Sequence, residues 1–323
     1  MADQTLDIVL LLALPASGKS EVRRYLKSVT PTQCRSDFHM GESVQLDDFP
    51  YVHLMRRIDD ELEAAGAPRP YFQAGDRPFL NPLDWGTLIE LVNEDYADLL
   101  ARNVVQTTSA ATLLFERLDR ASAVVGAPAR LAGLSADVRA ALADKIEREA
   151  RELLDEKHAS YPATLEGRTV VIEFARGGPD GSSMPLKAPF GYEYSLGCLS
   201  PAILEKATIL YVWVTPEESR RKNFARTDPN DPGSILHHGV PISVMLGDYG
   251  CDDMDHLLSV SGKPGTVTVN AHGKTYTLPV GRFDNRIDKT SFLRNEPGDW
   301  KPEEVAAIHA GLKGALDHIA ASR

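Results

Sequence analysis

Leu6 to Leu14 is an almost unbroken apolar run, of the length of a strand buried on both faces. The turn Pro15-Ala16-Ser17-Gly18 follows, and Lys19-Ser20 opens a segment with Val22, Tyr25, Leu26 and Val29 at helical spacing. Residues 29–42 carry Pro31, Gly41 and mixed polar residues and read as a loop, followed by a short strand at Ser43–Leu46. Residues 51 to about 165 read as mainly helical. One apolar stripe there is Leu88, Leu91, Val92, Tyr96, Leu99 and Leu100; a second, Val138, Leu142, Ile146, Ala150, Leu153 and Leu154, lies on a helix that Ser135 would cap. Arg168–Phe174 and Ala207–Thr215 are strong β-branched strands. Thr215-Pro216-Glu217-Glu218 combines an N-cap, a proline at the first helical position and an acid at the third, so a helix starts there. Thr266–Val269 and Lys274–Leu278 alternate around Asn270-Ala271-His272-Gly273 as a hairpin, and Leu278–Phe283 continues as a last core strand. A closing helix starts near Pro302 and buries Val305, Ile308, Leu312, Leu316 and Ile319. Strands alternating with helices predict an α/β protein.

Composition narrows the function more than the fold. The 323 residues are 43% hydrophobic and 25% charged, with a net charge of −11. That balance argues against a broad footprint on nucleic acid, while leaving room for a local basic pocket. Cys34, Cys198 and Cys251 are far apart and odd in number, as in a reducing compartment. The run at Leu6 is too short to span a membrane and lacks the flanks of a leader, so a cytoplasmic protein is expected.

The candidate chemistry clusters where strands end. A strand, a tight loop ending in Gly18-Lys19-Ser20 and a helix match the context of a phosphate loop. The free amides and positive dipole of a first helical turn attract phosphate. In that reading the stretch Pro15, Ala16, Ser17, Gly18, Lys19, Ser20 and Glu21 cradles a nucleotide, Lys19 meets the β- and γ-phosphates, and Ser20 supplies a hydroxyl to Mg²⁺. Ala13 stands where the pattern has glycine. Asp47 and Asp48 follow the second strand, and at most one of them is expected to face the loop. Glu173 ends its strand, the usual place for an acid that holds Mg²⁺ or its water. Arg220, Arg221, Lys222 and Arg226 lie on the helix after Thr215, either as contacts to a transferring phosphate or as a solvated basic face. The aromatic loop Arg69–Trp85 would wall a substrate pocket or tuck against its own helices. Residues 227–265, with His237, His238 and His256, fit no zinc pattern and read as a lid or surface excursion.

The order of these pieces resembles the P-loop small-molecule kinases, the group containing nucleoside monophosphate kinases, uridine and nicotinamide riboside kinases, and phosphoribulokinase. The resemblance covers about residues 6–51, 168–228 and 278–320. It implies one three-layer domain with a five-stranded parallel sheet of order 2-3-1-4-5. A helical insertion at 51–165 would bind the acceptor, and 227–277 would form a lid and hairpin. It further implies that Asp47, leading the stretch Gln45–Phe49, is the base facing the acceptor hydroxyl. Glu173 becomes the strand-three acid, with Asp48 assisting the metal. Arg220, Arg221 and Arg226 become lid arginines, and Asn285 borders the adenine. The implied activity is transfer of the γ-phosphoryl group of ATP, with Mg²⁺, to a small molecule such as a nucleoside, nucleotide or sugar. A GTP-hydrolysing switch is the first alternative, because Asn285-Arg286-Ile287-Asp288 resembles the guanine-reading motif. A non-catalytic nucleotide-binding protein and a kinase acting on a nucleic-acid end are the others.

Overall fold

Every residue of the first strand, β1 (Ile8–Leu12), is buried, because the strand lies inside a sheet covered on both faces. The protein is represented by a computed structural model that describes residues 5–226 and 239–323, the side chain of Arg226 excepted. With β2 (Glu42–Asp47), β3 (Arg168–Phe174), β4 (Ala207–Trp213), β5 (Thr266–Ala271) and β6 (Lys274–Asp284), β1 forms a mixed sheet of order β2-β3-β1-β4-β6-β5. All neighbours run parallel except the β5–β6 hairpin. Five strands plus a separate hairpin were expected from the sequence. Instead, Lys274–Asp284 is one long strand that pairs with β5 at its start and with β4 at its end. The hairpin thereby extends the sheet to six strands.

Helices α1 (Lys19–Ser28) and α2 (Pro31–Phe38) separate β1 from β2. A loop was expected at 29–42. However, Thr30 accepts from the Gln33 amide as an N-cap and Pro31 sits at the first helical position, which is enough to start a short helix. Four helices separate β2 from β3: α3 (Phe49–Ala64), α4 (Asp84–Ala101), α5 (Ala110–Val124) and α6 (Ala136–Ala159). Then come α7 (Gly191–Gly197) and α8 (Pro201–Leu204) before β4, and α9 (Pro216–Arg226), α10 (Ile242–Gly247) and α11 (Met254–Val260) before β5. The chain closes with α12 (Pro302–Ser322). The expected lid at 227–265 lies partly outside the described residues, at 227–238, with His237 and His238. Its remainder is no surface excursion, since Val244, Met245, Met254 and Leu257 are buried.

Alternation along β1 sends its side chains to two cores. Ile8, Leu10 and Leu12 join Ile89, Val92 and Tyr96 of α4 on one face. Val9 and Leu11 join Val22 of α1 and Ile308, Leu312 and Leu316 of α12 on the other. The result is helix, sheet, helix in three layers. A third core, with Leu54, Ile58, Leu91, Phe115 and Ile146, belongs to the four inserted helices. Of the two predicted stripes there, Leu100 and Val138 are exposed, because the buried face is narrower than the apolar pattern.

Candidate functional site

The loop between β1 and α1 is shaped by two residues with left-handed backbone, Ala16 (φ 56°) and Gly18 (φ 104°). Ala13 is not among the positive-φ residues, so alanine there carries no strain, and its carbonyl accepts from Lys19 Nζ at 3.3 Å. A Cβ on Gly18 would lie 2.5 Å from Thr290 Oγ1 and 2.9 Å from Asn285 Nδ2, so only glycine fits. Three side chains tie the loop's carbonyls back. Ser17 Oγ donates to Leu14 O (2.7 Å), Ser219 Oγ of α9 to Pro15 O (2.6 Å), and Asn285 Nδ2 to Ser17 O (2.8 Å). The first-turn amides of α1 have no carbonyl within the helix to meet. A loop held this way presents donors to an anion without rearranging.

Register then assembles the acids. Asp47 on β2 is the direct partner of Glu173 on β3, so both carboxylates stand together at the carboxyl end of the sheet. Arg23, one turn into α1, bridges them, donating to Glu173 Oε2 at 2.6 Å and to Asp47 Oδ2 at 3.2 Å. Burial, then the charges of Glu173 and Asp48, push the Asp47 carboxyl up to about 7; the Phe49 amide and Arg23 act against that rise. Asp48 turns to a different partner, Arg176, whose Nη1 meets its Oδ2 at 2.6 Å. Arg176 is itself fully buried. It donates to Ser195 Oγ and to Trp85 O and lies over the rings of Trp85 and Phe174. Burial raises the Asp48 carboxyl, with Arg176 and Lys19 holding the rise down.

A cavity of about 170 Å³ joins these groups. Its lining includes the loop residues Pro15 to Glu21 and the acids Asp47, Asp48 and Glu173. Phe72, Phe79, Trp85 and Tyr249 add an aromatic wall. The aromatic loop therefore does contribute a wall, its Phe72 and Phe79 brought together by an antiparallel bridge. Among the described residues no three His, Cys, Asp or Glu side chains converge as a metal-binding group. The candidate ligands next to the loop in sequence or at the strand ends, Ser20, Asp47, Asp48 and Glu173, all offer oxygen. Mg²⁺ keeps waters and phosphate oxygens and needs only one or two protein ligands, so Ser20 with one of these acids fits it.

Other candidates lie elsewhere. Arg220 pairs with Asp180 and Glu217, and Arg221 with Glu218 on its own helix; neither lines the cavity. The side chain of Arg226 is outside the described residues. The Glu21 carboxylate, though the residue lines the cavity, is taken by Arg294 at 2.7 Å. Asn285 is fully buried and clasps the loop from behind rather than lining the cavity. Both oxygens of Asp47 are engaged, Oδ1 by the Phe49 amide and Oδ2 by Arg23. Asp48 Oδ1, by contrast, takes no hydrogen bond among the described residues. Sequence reasoning missed Arg23, Arg176 and Ser219. The only signal was position: Arg23 lies four residues past Lys19 on one helix face, and Arg176 two past the end of β3. Among the described residues no helix is long and apolar enough to cross a membrane. Compared with known protein families, with curated proteins and with solved structures, the chain finds no match in any of the three.

Proposed function

We propose that the protein is an ATP- and Mg²⁺-dependent phosphotransferase of P-loop kinase type, acting on a small hydroxyl-bearing acceptor. One observation carries the reading. A single cavity is lined together by an anion-binding loop, carboxylates and an aromatic wall. Those are the surfaces needed to hold a nucleotide and an acceptor in one site. Mg²⁺, when bound, would neutralise phosphate charge, and Ser20 and Glu173 are the residues that would hold it.

The chain's own residues divide the remaining work. Lys19 and the loop amides bind the β- and γ-phosphates and favour the transferring charge. Arg23 keeps Glu173 and Asp47 paired and in place. The roles implied for the two aspartates exchange. Asp48, fixed by Arg176 through Oδ2, has Oδ1 left to orient and receive the acceptor's hydroxyl proton. Asp47 belongs to the metal side. No covalent intermediate on the protein is needed, because positioning and charge stabilisation suffice for phosphoryl transfer. A GTP switch is the weaker reading. Its guanine-reading acid, Asp288, is already held by Lys222 at 3.0 Å and by the amides of Thr290 and Ser291.

The test is ADP release over a panel of alcohols, sugars and nucleosides. Lys19→Ala is expected to lose about 10²-fold or more. Asp48→Asn should lose more activity than Asp47→Asn. Turnover by Lys19→Ala equal to wild type refutes the phosphotransferase. A greater loss in Asp47→Asn reverses the assignment of the two acids.

A further inference from the structure

The aromatic wall of the cavity holds a carboxylate with no use in phosphate chemistry. Asp248 follows α10, is only 4% exposed, and lines the cavity beside Tyr249. Among the described residues its side chain receives no hydrogen bond; the one cation acting on it is Arg56. Arg56 is committed elsewhere. It lies over the Phe72 ring at 3.8 Å and donates to the carbonyls of Gly75 (2.8 Å) and Arg77 (3.4 Å). The Asp248 oxygens open onto the cavity, where a ligand can supply the bond the protein does not. The same wall has an unmatched donor, since Trp85 Nε1 is buried and finds no acceptor among the described residues.

Shape and charge narrow the ligand further. Phe72 and Phe79 stack at 4.5 Å, and Trp85 and Tyr249 continue the wall edge to face. Such a surface suits a flat ring. Among the described residues five acids line the cavity, Glu21 (held by Arg294), Asp47, Asp48, Glu173 and Asp248, against Lys19, Arg56 and His53. Among the described residues a second phosphate would find no free arginine fork there. We propose that the chamber takes a non-anionic ring alcohol. Its flat nitrogen-bearing ring lies against Phe79 and Trp85, an N–H donates to Asp248, and its hydroxyl reaches Asp48. This rests on the phosphotransferase reading and names the acceptor class for it.

The experiment measures binding apart from turnover, by calorimetry with the loop saturated by Mg²⁺ and a non-hydrolysable ATP analogue. Probes are cytidine and 3-aminobenzyl alcohol, each beside its N,N-dimethyl derivative, with ribose as the ringless control and cytidine monophosphate as the anionic one. The N–H probes are expected to bind about 10-fold tighter than their dimethyl derivatives and both controls, as for one buried hydrogen bond. Asp248→Asn and Asp248→Leu should each erase that preference and leave the dimethyl probes unchanged, while both variants keep the wild-type melting temperature or exceed it. Equal binding of ribose or cytidine monophosphate, no binding of either ring alcohol, or a preference that survives both variants overturns the proposal. If ring alcohols bind with this signature but release no ADP, the phosphotransferase reading fails and the chamber's specificity stands. If ringless sugars are phosphorylated in a Lys19-dependent way, the phosphotransferase stands and this inference falls.

Discussion

Replacing Arg176 by methionine tests the centre of the site without needing a substrate. Methionine keeps most of the volume and removes four hydrogen bonds: to Asp48 Oδ2 (2.6 Å), Ala175 O (2.6 Å), Ser195 Oγ (2.9 Å) and Trp85 O (3.3 Å). The dominant cost is electrostatic. Asp48 is 6% exposed and would be left a buried carboxylate without its strongest partner, with Lys19 as the remaining cation nearby. Removing one member of a buried ion pair typically costs about 3–5 kcal/mol. In a chain of this size that lowers the melting temperature by roughly 5–10 °C. The double variant Asp48→Asn/Arg176→Met removes the stranded charge as well, so it should recover about 1–3 kcal/mol relative to Arg176→Met alone. Urea titrations of wild type, both single variants and the double variant give the coupling directly. Losses that simply add, or an Arg176→Met protein as stable as wild type, would refute the claim that this pair is what fixes Asp48. Activity makes a separate statement: the double variant regains stability but no turnover.

Three further outcomes are expected. Gly18→Ala puts a strained Cβ at φ 104° against Thr290 and Asn285, so calorimetry should read an MgATP affinity at least about 10-fold weaker; Asn285→Ala, which strips the bonds to Ser17 O, Thr290 Oγ1 and the Lys289 amide but adds no clash, should weaken it less. Arg23→Met leaves the paired Asp47 and Glu173 without the cation between them, so its destabilisation in urea should be larger at pH 8 than at pH 5, where Asp47 is largely protonated; equal losses at both pH values would contradict the pairing. Burial holds Asp47 and Asp248 up at about 7 and Asp59 and Asp252 up at about 6, all above the ordinary 3.8 of the unfolded chain. Between those limits the unfolded chain gives up protons that the folded protein keeps, so stability falls as pH rises from about 4 to 7, and Asp248→Asn should flatten part of that slope in melting curves.

Much of this site could be read from local patterns. An apolar run, a tight turn and helical spacing are properties of neighbouring residues, so β1, the loop at Pro15–Ser20 and α1 were legible before any folding. The same holds for β3, β4 and the Thr215–Pro216 helix start. The short helix α2 was missed although its cap and proline were visible, because its apolar face is too small to show a period. The merging of the hairpin with the last core strand was decided by pairing between β4 and β6, partners about 70 residues apart in sequence.

What the sequence determined by itself is the kind of chemistry available: a Gly-Lys-Ser turn between strand and helix, with acids at strand ends. What only tertiary structure decided is which charges meet. Asp47 and Asp48 are adjacent in the chain, yet one is drawn to Arg23 and Glu173 and the other to Arg176 under Trp85. Asn285 was expected beside a base and instead braces the loop from beneath. The physical reason is that a side chain's role depends on its direction from the backbone and on burial among distant partners. Periodicity in a sequence records which face is apolar, but long-range register and ion pairing arise only when the sheet closes and its helices pack.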